Sequence, residues 1–75
     1  MDYTSFKILL LNKLNINRMD EEDKSFFQNY ILNGTIFRNL NHYIQKYNLD
    51  VEQIELLNKY NFYTRNYTEN MIIPN

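Results

Sequence analysis

The clearest alternation of hydrophobic and polar positions lies in residues 35–47 and predicts an amphipathic helix. With the usual step of about 100° per residue, its large apolar and aromatic side chains fall within an arc of about 120°. These side chains are Ile36, Phe37, Leu40, Tyr43, Ile44 and Tyr47. The opposite side is polar and carries His42 and Gln45. We therefore expect a helix that buries one face.

A second helix is predicted ahead of this one, between residues 20 and 33. Four consecutive acidic residues at positions 20–23 mark its start, because carboxylates favour the positive end of the helix dipole. An apolar stripe then runs along the segment and comprises Met19, Phe26, Phe27, Tyr30 and Ile31. Gly34 is expected to end the helix as a left-handed C-cap residue.

The Asn33-Gly34 pair allows a second interpretation of this region. An Asn-Gly pair between two apolar stretches, here residues 30–32 and 35–37, is also typical of a β-hairpin. Strand residues alternate between two faces, whereas these stretches place apolar residues next to one another and continue as helical stripes. The pattern therefore favours two helices joined by a turn, and the hairpin is the alternative.

The first helix is predicted over residues 4–14, with Thr4 or Ser5 as its N-cap. Apolar residues surround it almost completely, so we expect it in the middle of the fold or across a subunit interface. A buried strand over residues 6–11 is the alternative, because periodicity cannot separate the two structures in so short an apolar run.

A fourth helix is expected to begin after Asp50, which forms a capping-box pattern with Gln53. A wide apolar face follows in residues 51–60. From residue 61 onward the helical periodicity is lost, so we expect the helix to end there. Residues 62–75 are predicted to form an aromatic-rich C-terminal arm.

Together these elements predict an all-α fold, a compact bundle of three to four short helices with an aromatic-rich C-terminal arm. The 75 residues form one domain, with a helical part in residues 1–61 and the arm in residues 62–75. A chain of this length buries only about 60% of its unfolded surface, so we expect marginal stability. Because there is no cysteine to form a disulfide, self-association is the remaining source of added stability.

Charge and hydropathy argue against nucleic-acid and membrane partners. Eight Lys and Arg against nine Asp and Glu give a net charge of −1, which provides no basic surface for a nucleic acid. The longest fully apolar run, residues 8–11, is far too short to span a membrane. The first residues also lack the basic segment of a signal peptide. We therefore expect a cytoplasmic protein.

The residue types that catalysis requires are scarce. There is no cysteine, and the single histidine, His42, lies on the polar side of its helix, so the sequence offers no nucleophile with an adjacent base. One glycine cannot form a phosphate-binding loop. The acidic residues 20–23 are better explained by the helix dipole than by a catalytic carboxylate pair. We therefore expect no enzyme activity, no cofactor and no metal.

The two predicted helices on either side of Asn48 have the hydrophobic spacing of a helix-turn-helix motif. A small DNA-binding regulator is therefore an alternative function. The second of these helices, however, would present Glu52 and Glu55 to the duplex, and carboxylates oppose contact with phosphate groups. The sequence favours an ordinary helical hairpin here.

The function that we favour is a small protein-binding module. The chain has near-neutral charge, no catalytic motif and more apolar and tyrosine surface than so small a fold is expected to bury. The residues expected to contact the partner are Leu11, Tyr63, Arg65, Tyr67, Met71, Ile72 and Ile73. Alternatively, the arm folds back and seals the core.

The composition adds a small indication of the origin of the chain. Its dominant residues, Asn, Ile, Tyr, Phe and Lys, have AT-rich codons, as in low-GC bacteria, their phages and mobile elements, and some large DNA viruses or protozoa. An adaptor or inhibitor of a host protein, for example of a defence system, fits such an origin. A homodimer and a self-assembling scaffold are further alternatives.

Overall fold

The computed structural model describes residues 1–67 and 71–73, and this part of the chain contains four α-helices. A 3₁₀ turn joins the first two helices. In chain order the elements are α1 (Tyr3–Lys13), the 3₁₀ turn (Ile16–Arg18), α2 (Glu21–Asn33), α3 (Leu40–Tyr47) and α4 (Val51–Arg65). The predicted all-α fold is confirmed.

The two strand alternatives are wrong. Residues 6–11, the alternative buried strand, are helical throughout, and residues 30–37, the alternative hairpin, are helical up to Asn33. The rest of the second segment is an irregular connection, so the described residues contain no hairpin there. Within the described ranges, no helix is long and apolar enough to cross a membrane. Residues 68–70 and 74–75 of the predicted arm lie outside the described residues.

The core forms where α1 packs against both α2 and α4. This position agrees with the expectation that a helix apolar on most sides lies in the middle of the fold. The side chains from these helices that are completely shielded from solvent are Leu10, Phe27, Ile31, Leu57 and Tyr60. Because burial of a large aliphatic or phenylalanine side chain contributes about 1.5–3 kcal/mol, this cluster is a main source of stability.

Two helix ends follow the sequence signals. Gly34 ends α2 in the left-handed conformation, with φ 68°, as predicted. The capping box at the start of α4 is also confirmed. The Asp50 carboxylate accepts from the Gln53 backbone N–H at 2.8 Å, and the Gln53 side chain accepts from the Asp50 N–H at 2.9 Å. Both signals act within one turn of the chain, so no distant residue is needed to form them.

The N-cap of α1 is Asp2, and the prediction of Thr4 or Ser5 is wrong. The Asp2 carboxylate accepts a hydrogen bond from the Ser5 backbone N–H at 2.7 Å. This bond favours the ionised carboxylate and holds the pKa of Asp2 below its usual range. The helix therefore begins at Tyr3, whose side chain is buried.

The start of α3 was predicted wrongly, because the helix begins at Leu40 and not at residue 35. The preceding residues are held in an irregular conformation by side chains of α4. Asn61 accepts from the Phe37 N–H at 2.9 Å and donates to the Phe37 carbonyl at 3.0 Å. The Tyr60 hydroxyl lies 2.8 Å from the carbonyl oxygen of Thr35. These tertiary hydrogen bonds take the places of helical ones.

The end of α4 was also predicted wrongly, because the helix continues to Arg65. The apolar periodicity fades after residue 60 since two inward positions are polar. Asn61 binds the Phe37 backbone, and Thr64 Oγ1 lies 2.6 Å from the hydroxyl oxygen of Tyr3. Because these inward-facing side chains are polar and bind buried partners, hydrophobic periodicity does not detect the last turn of α4.

Residues 71–73 lie beside the first two residues of the chain. Asp2 and Ile72 form an isolated antiparallel bridge, and the Ile73 N–H donates to the Met1 carbonyl at 2.8 Å. The Ile73 side chain is only 2% exposed and belongs to the core. This part of the arm therefore folds back and seals the core, which is the alternative drawn from the sequence.

Candidate functional site

Exposed hydrophobic side chains gather where the two ends of the described chain meet. Met1 is 40% exposed, Tyr67 is 51% exposed and Ile72 is 75% exposed. Met1 and Ile72 lie at the bridge between residues 2 and 72, and the Tyr67 ring rests on Tyr3, the residue that follows Asp2 in the chain. We call these three exposed residues the bridge surface. Single exposed hydrophobic residues are ordinary, whereas contiguous apolar patches are typical of interaction sites, so the bridge surface is a candidate site.

Backbone pairing decides which arm residue faces solvent. In an extended segment, neighbouring side chains point to opposite faces. Ile72 pairs with Asp2 at the bridge and points outward, while Ile73 points into the core. The burial of Ile73 therefore directs the neighbouring Ile72 side chain toward solvent.

A second set of contacts positions Tyr67. Its ring lies against that of Tyr3, with the two centroids 4.7 Å apart and the planes tilted by 41°. Tyr3 is itself anchored by its close contact with Thr64 on α4. Because one side of the Tyr67 ring rests on a buried residue, the aromatic ring is held in place while half of its surface stays accessible.

The residues predicted to bind a partner are divided by the fold. Tyr67 and Ile72 lie in the bridge surface, and Arg65 is exposed two residues before Tyr67. Tyr63 and Met71 are half-buried and pack against the core, where Ile73 also lies. These three side chains pack in or against the core and are not part of the bridge surface.

Leu11 is separated from the other predicted residues. It lies nine residues beyond Asp2, about 13 Å along α1 at the usual helical rise. There it lines a cavity that is separate from the bridge surface, together with Gln28 and residues 15–18. The sequence could not reveal this division, because a helical wheel gives the direction of a side chain but not its neighbours in other elements.

The acidic residues at the start of α2 form an ion-pair network with the end of α3. Lys46 Nζ lies 2.7 Å from Asp23 Oδ2 and 2.9 Å from Asp20 Oδ2. The Tyr47 hydroxyl donates to the Asp23 carboxylate and accepts from the Asp20 N–H at 3.3 Å. These groups tie the two helix ends together.

The hydrogen bonds and ion pairs that join these side chains also shift their pKa values. The hydrogen bond from Lys46, followed by that from Tyr47, holds the pKa of Asp23 below its usual range. The pKa of Lys46 is raised by its bonds to Asp23 and Asp20. Each shift favours the charged partners, as in a structural ion pair. Across the described part of the chain, no cluster of His, Asp and Glu side chains is arranged to hold a metal ion.

An open cavity of about 380 Å³ lies between α2, α3 and the connection that joins them. We call it the aromatic cavity. Its lining residues are Phe26, Tyr30, Thr35, Ile36, Phe37, Arg38, Asn39 and Tyr43. The aromatic members were predicted from the sequence as core positions of two helices. The cavity itself was missed, because it depends on the irregular conformation of the connection.

The aromatic rings of this cavity pack closely. The Phe26 ring lies 4.0 Å from the Tyr30 ring and 5.4 Å from the Tyr43 ring, centroid to centroid. The Phe26 and Tyr43 planes differ by only 23°. Burial raises the pKa of the Tyr43 hydroxyl, which also lies near the charge of Asp23. The cavity thus combines aromatic walls with polar groups at its edge.

No family model matches the chain, and no curated protein or solved structure is significantly similar to it. Two features of the described residues, the bridge surface and the aromatic cavity, are therefore the candidates for a functional site. They share no residue.

Proposed function

We propose that the chain is a protein-binding module whose partner docks on the bridge surface. The observation that carries this proposal is the exposure of Met1, Tyr67 and Ile72. The backbone of residues 1–2 is paired with that of residues 72–73, and the Tyr67 ring rests on Tyr3, so the chain that carries these side chains is already ordered before a partner binds. Preorganisation of this kind lowers the entropic cost of association.

The residue types fit the centre of a protein interface. Tyrosine, methionine and arginine are enriched in such centres, and tryptophan, tyrosine and arginine side chains often supply most of the binding free energy. Arg65 is exposed close to Tyr67 along the chain and can pair with a carboxylate at the rim. A partner with an apolar centre and acidic residues at its edge would complement this surface.

The proposed partner is a host protein, and the chain acts on it in the cytoplasm as an adaptor or inhibitor encoded by a phage or mobile element. This finer assignment is supported by the excess of residues with AT-rich codons. The near-neutral net charge of −1 also favours a protein partner over a nucleic acid.

Protein binding is favoured over DNA binding by the charges on α4. In a helix-turn-helix protein this helix would enter the major groove. Here Glu52 and Glu55 are both exposed on it, and Glu52 forms an ion pair with Lys13 at 3.2 Å. Carboxylates at these positions repel the phosphate backbone.

The test is a quantitative affinity capture from a low-GC bacterial lysate, carried out in parallel with and without nuclease treatment. The tagged chain is compared with its Ile72→Lys variant, in which the new charge faces Asp2 across the bridge. The matched control is Leu32→Lys, which changes another exposed hydrophobic residue in the last turn of α2, where a cation suits the helix dipole. All three proteins must first show the same circular-dichroism spectrum.

We expect one stoichiometric protein to bind the wild type and the Leu32→Lys control, and to be lost from Ile72→Lys. Equal retention by all three would show that the partner does not use the bridge surface. Recovery of nucleic acid alone would contradict the proposal in favour of a DNA-binding function. Recovery of further copies of the chain alone would favour self-assembly.

A further inference from the structure

We infer that the aromatic cavity is a binding site for a small planar aromatic carboxylate. The ring of the ligand would lie against the aromatic walls, and its carboxylate would pair with Arg38. At about 380 Å³ the cavity is at the lower end of the range for ligand pockets, about 300–1,000 Å³. This size suits a ligand of one or two rings.

The connection that forms one wall of the cavity is held rigidly. Asn61 binds both backbone polar groups of Phe37, at 2.9 and 3.0 Å. The Tyr60 hydroxyl lies 2.9 Å from the Tyr30 carbonyl oxygen and 2.8 Å from that of Thr35, so its proton is shared between them. The cavity is therefore formed before a ligand arrives, as binding sites for small molecules usually are.

The aromatic walls favour a flat ligand. Phe26 and Tyr43 stack on each other with nearly parallel rings, and Tyr30 lies beside Phe26, so a ligand meets the parts of these rings that line the cavity and not the faces between them. Aromatic groups pack against such rings edge-to-face or offset, with centroids about 4.5–7 Å apart. An aliphatic ligand would bury apolar area here but would lack this aromatic contact.

The charge of the cavity favours an anion. Arg38 is the one charged residue in the lining, it is exposed, and it forms no ion pair with any described residue. Asp23 and Glu22, the two carboxylates that raise the pKa of Tyr43, do not line the cavity, and Asp23 is already paired with Lys46 and hydrogen-bonded by Tyr47. A planar guanidinium matches a carboxylate through two parallel hydrogen bonds.

The test is a titration of the ¹⁵N-labelled full chain followed by NMR amide shifts. Phenylacetate is the probe, phenylacetamide has the same shape without the charge, and cyclohexylacetate has the charge without the aromatic ring. We expect saturable shifts with phenylacetate in residues 26–43, and binding about tenfold weaker for phenylacetamide. Cyclohexylacetate should also bind more weakly than phenylacetate.

Arg38→Gln is the diagnostic variant, and Arg18→Gln is the control that removes the same charge from the exposed end of the 3₁₀ turn. In Arg38→Gln the preference for phenylacetate over phenylacetamide should disappear, whereas Arg18→Gln should retain it. A structural defect would weaken both probes equally and would not change their ratio.

Several outcomes would overturn the inference. They are the absence of saturable shifts with phenylacetate, shifts confined to residues outside 26–43, and an unchanged preference in Arg38→Gln. A short peptide ending in phenylalanine that bound more tightly than phenylacetate would assign the same chemistry to a protein C-terminus and not to a free acid. Because the two sites share no residue, none of these results depends on binding at the bridge surface.

Discussion

The side-chain amide of Asn61 hydrogen-bonds both backbone polar groups of Phe37. Its Oδ1 accepts from the N–H at 2.9 Å, and its Nδ2 donates to the carbonyl at 3.0 Å. A neighbouring β-strand would make the same pair of bonds. One side chain on α4 therefore satisfies a buried residue of the irregular connection and keeps that residue out of α3.

Replacement of Asn61 by alanine should destabilise the fold strongly. It leaves the N–H and the carbonyl of Phe37 without partners in a partly buried site, and each orphaned group costs about 1–3 kcal/mol. We expect a loss of about 2–4 kcal/mol in the free energy of unfolding, measured by urea denaturation. Asn58→Ala, on the exposed side of the same helix, should change it by less than about 0.5 kcal/mol. Equal effects of the two variants would contradict the role of Asn61.

Two neighbouring isoleucines of the arm should respond differently to the same substitution. Ile73 is buried in the core, so Ile73→Ala should cost about 2–5 kcal/mol of stability. Ile72→Ala should cost less than about 0.5 kcal/mol, because that side chain is exposed. If Ile73→Ala does not fold, Ile73→Val should still show a loss of about 0.5–1.5 kcal/mol. Unfolding midpoints in urea measure the difference, and similar values for the two positions would show that the arm does not pack as described.

The Asp23–Lys46 pair should make stability depend on acidic pH. The pKa of Asp23 is lower in the folded chain than in the unfolded one, because Lys46 and then Tyr47 bind the carboxylate. The stabilisation is therefore complete above the unfolded pKa of about 3.9 and is lost as the pH falls through the folded pKa.

Urea midpoints measured between about pH 2 and pH 6 should consequently decline below about pH 4. Asp23→Asn should flatten part of this decline, and Lys46→Met should flatten it as well, because it removes the other partner. Asp2, whose pKa is also lowered, contributes to the decline that remains. If the urea midpoints of both variants declined as much as those of the wild type, the Asp23–Lys46 pair would not contribute to the pH dependence of stability.

The left-handed residue at the end of α2 should not tolerate a side chain. Gly34 has φ 68°, and a Cβ atom there would lie 3.3 Å from the hydroxyl oxygen of Tyr3. We expect Gly34→Ala to cost about 1–2 kcal/mol, equivalent to a fall of roughly 4–16 °C in Tm for a domain of this size. Ser25→Ala, an exposed position in the same helix, should leave Tm unchanged or raise it slightly. A Tm for Gly34→Ala equal to that of the wild type would contradict the strain argument.

The candidate site was only partly predictable from the sequence. Tyr67 and Ile72 were recognised as apolar residues in a segment without helical pattern, and both are exposed. Ile73 belonged to the same predicted set, yet it is buried because the bridge to Asp2 gives the two isoleucines opposite directions. That pairing joins residues at opposite ends of the chain, which local patterns cannot reveal.

The sequence by itself determined the elements whose signals lie within a turn or two of the chain. The acidic start and left-handed glycine of α2, and the capping box of α4, each depend on residues close to one another. Only the tertiary structure decided where α3 begins and α4 ends. The start of α3 depends on Asn61, whose partner Phe37 is 24 residues away, and the last turns of α4 also carry Thr64, whose partner Tyr3 is 61 residues away. A polar side chain looks solvent-facing in a hydrophobic pattern, and its buried hydrogen bonds exist only once the helices have packed.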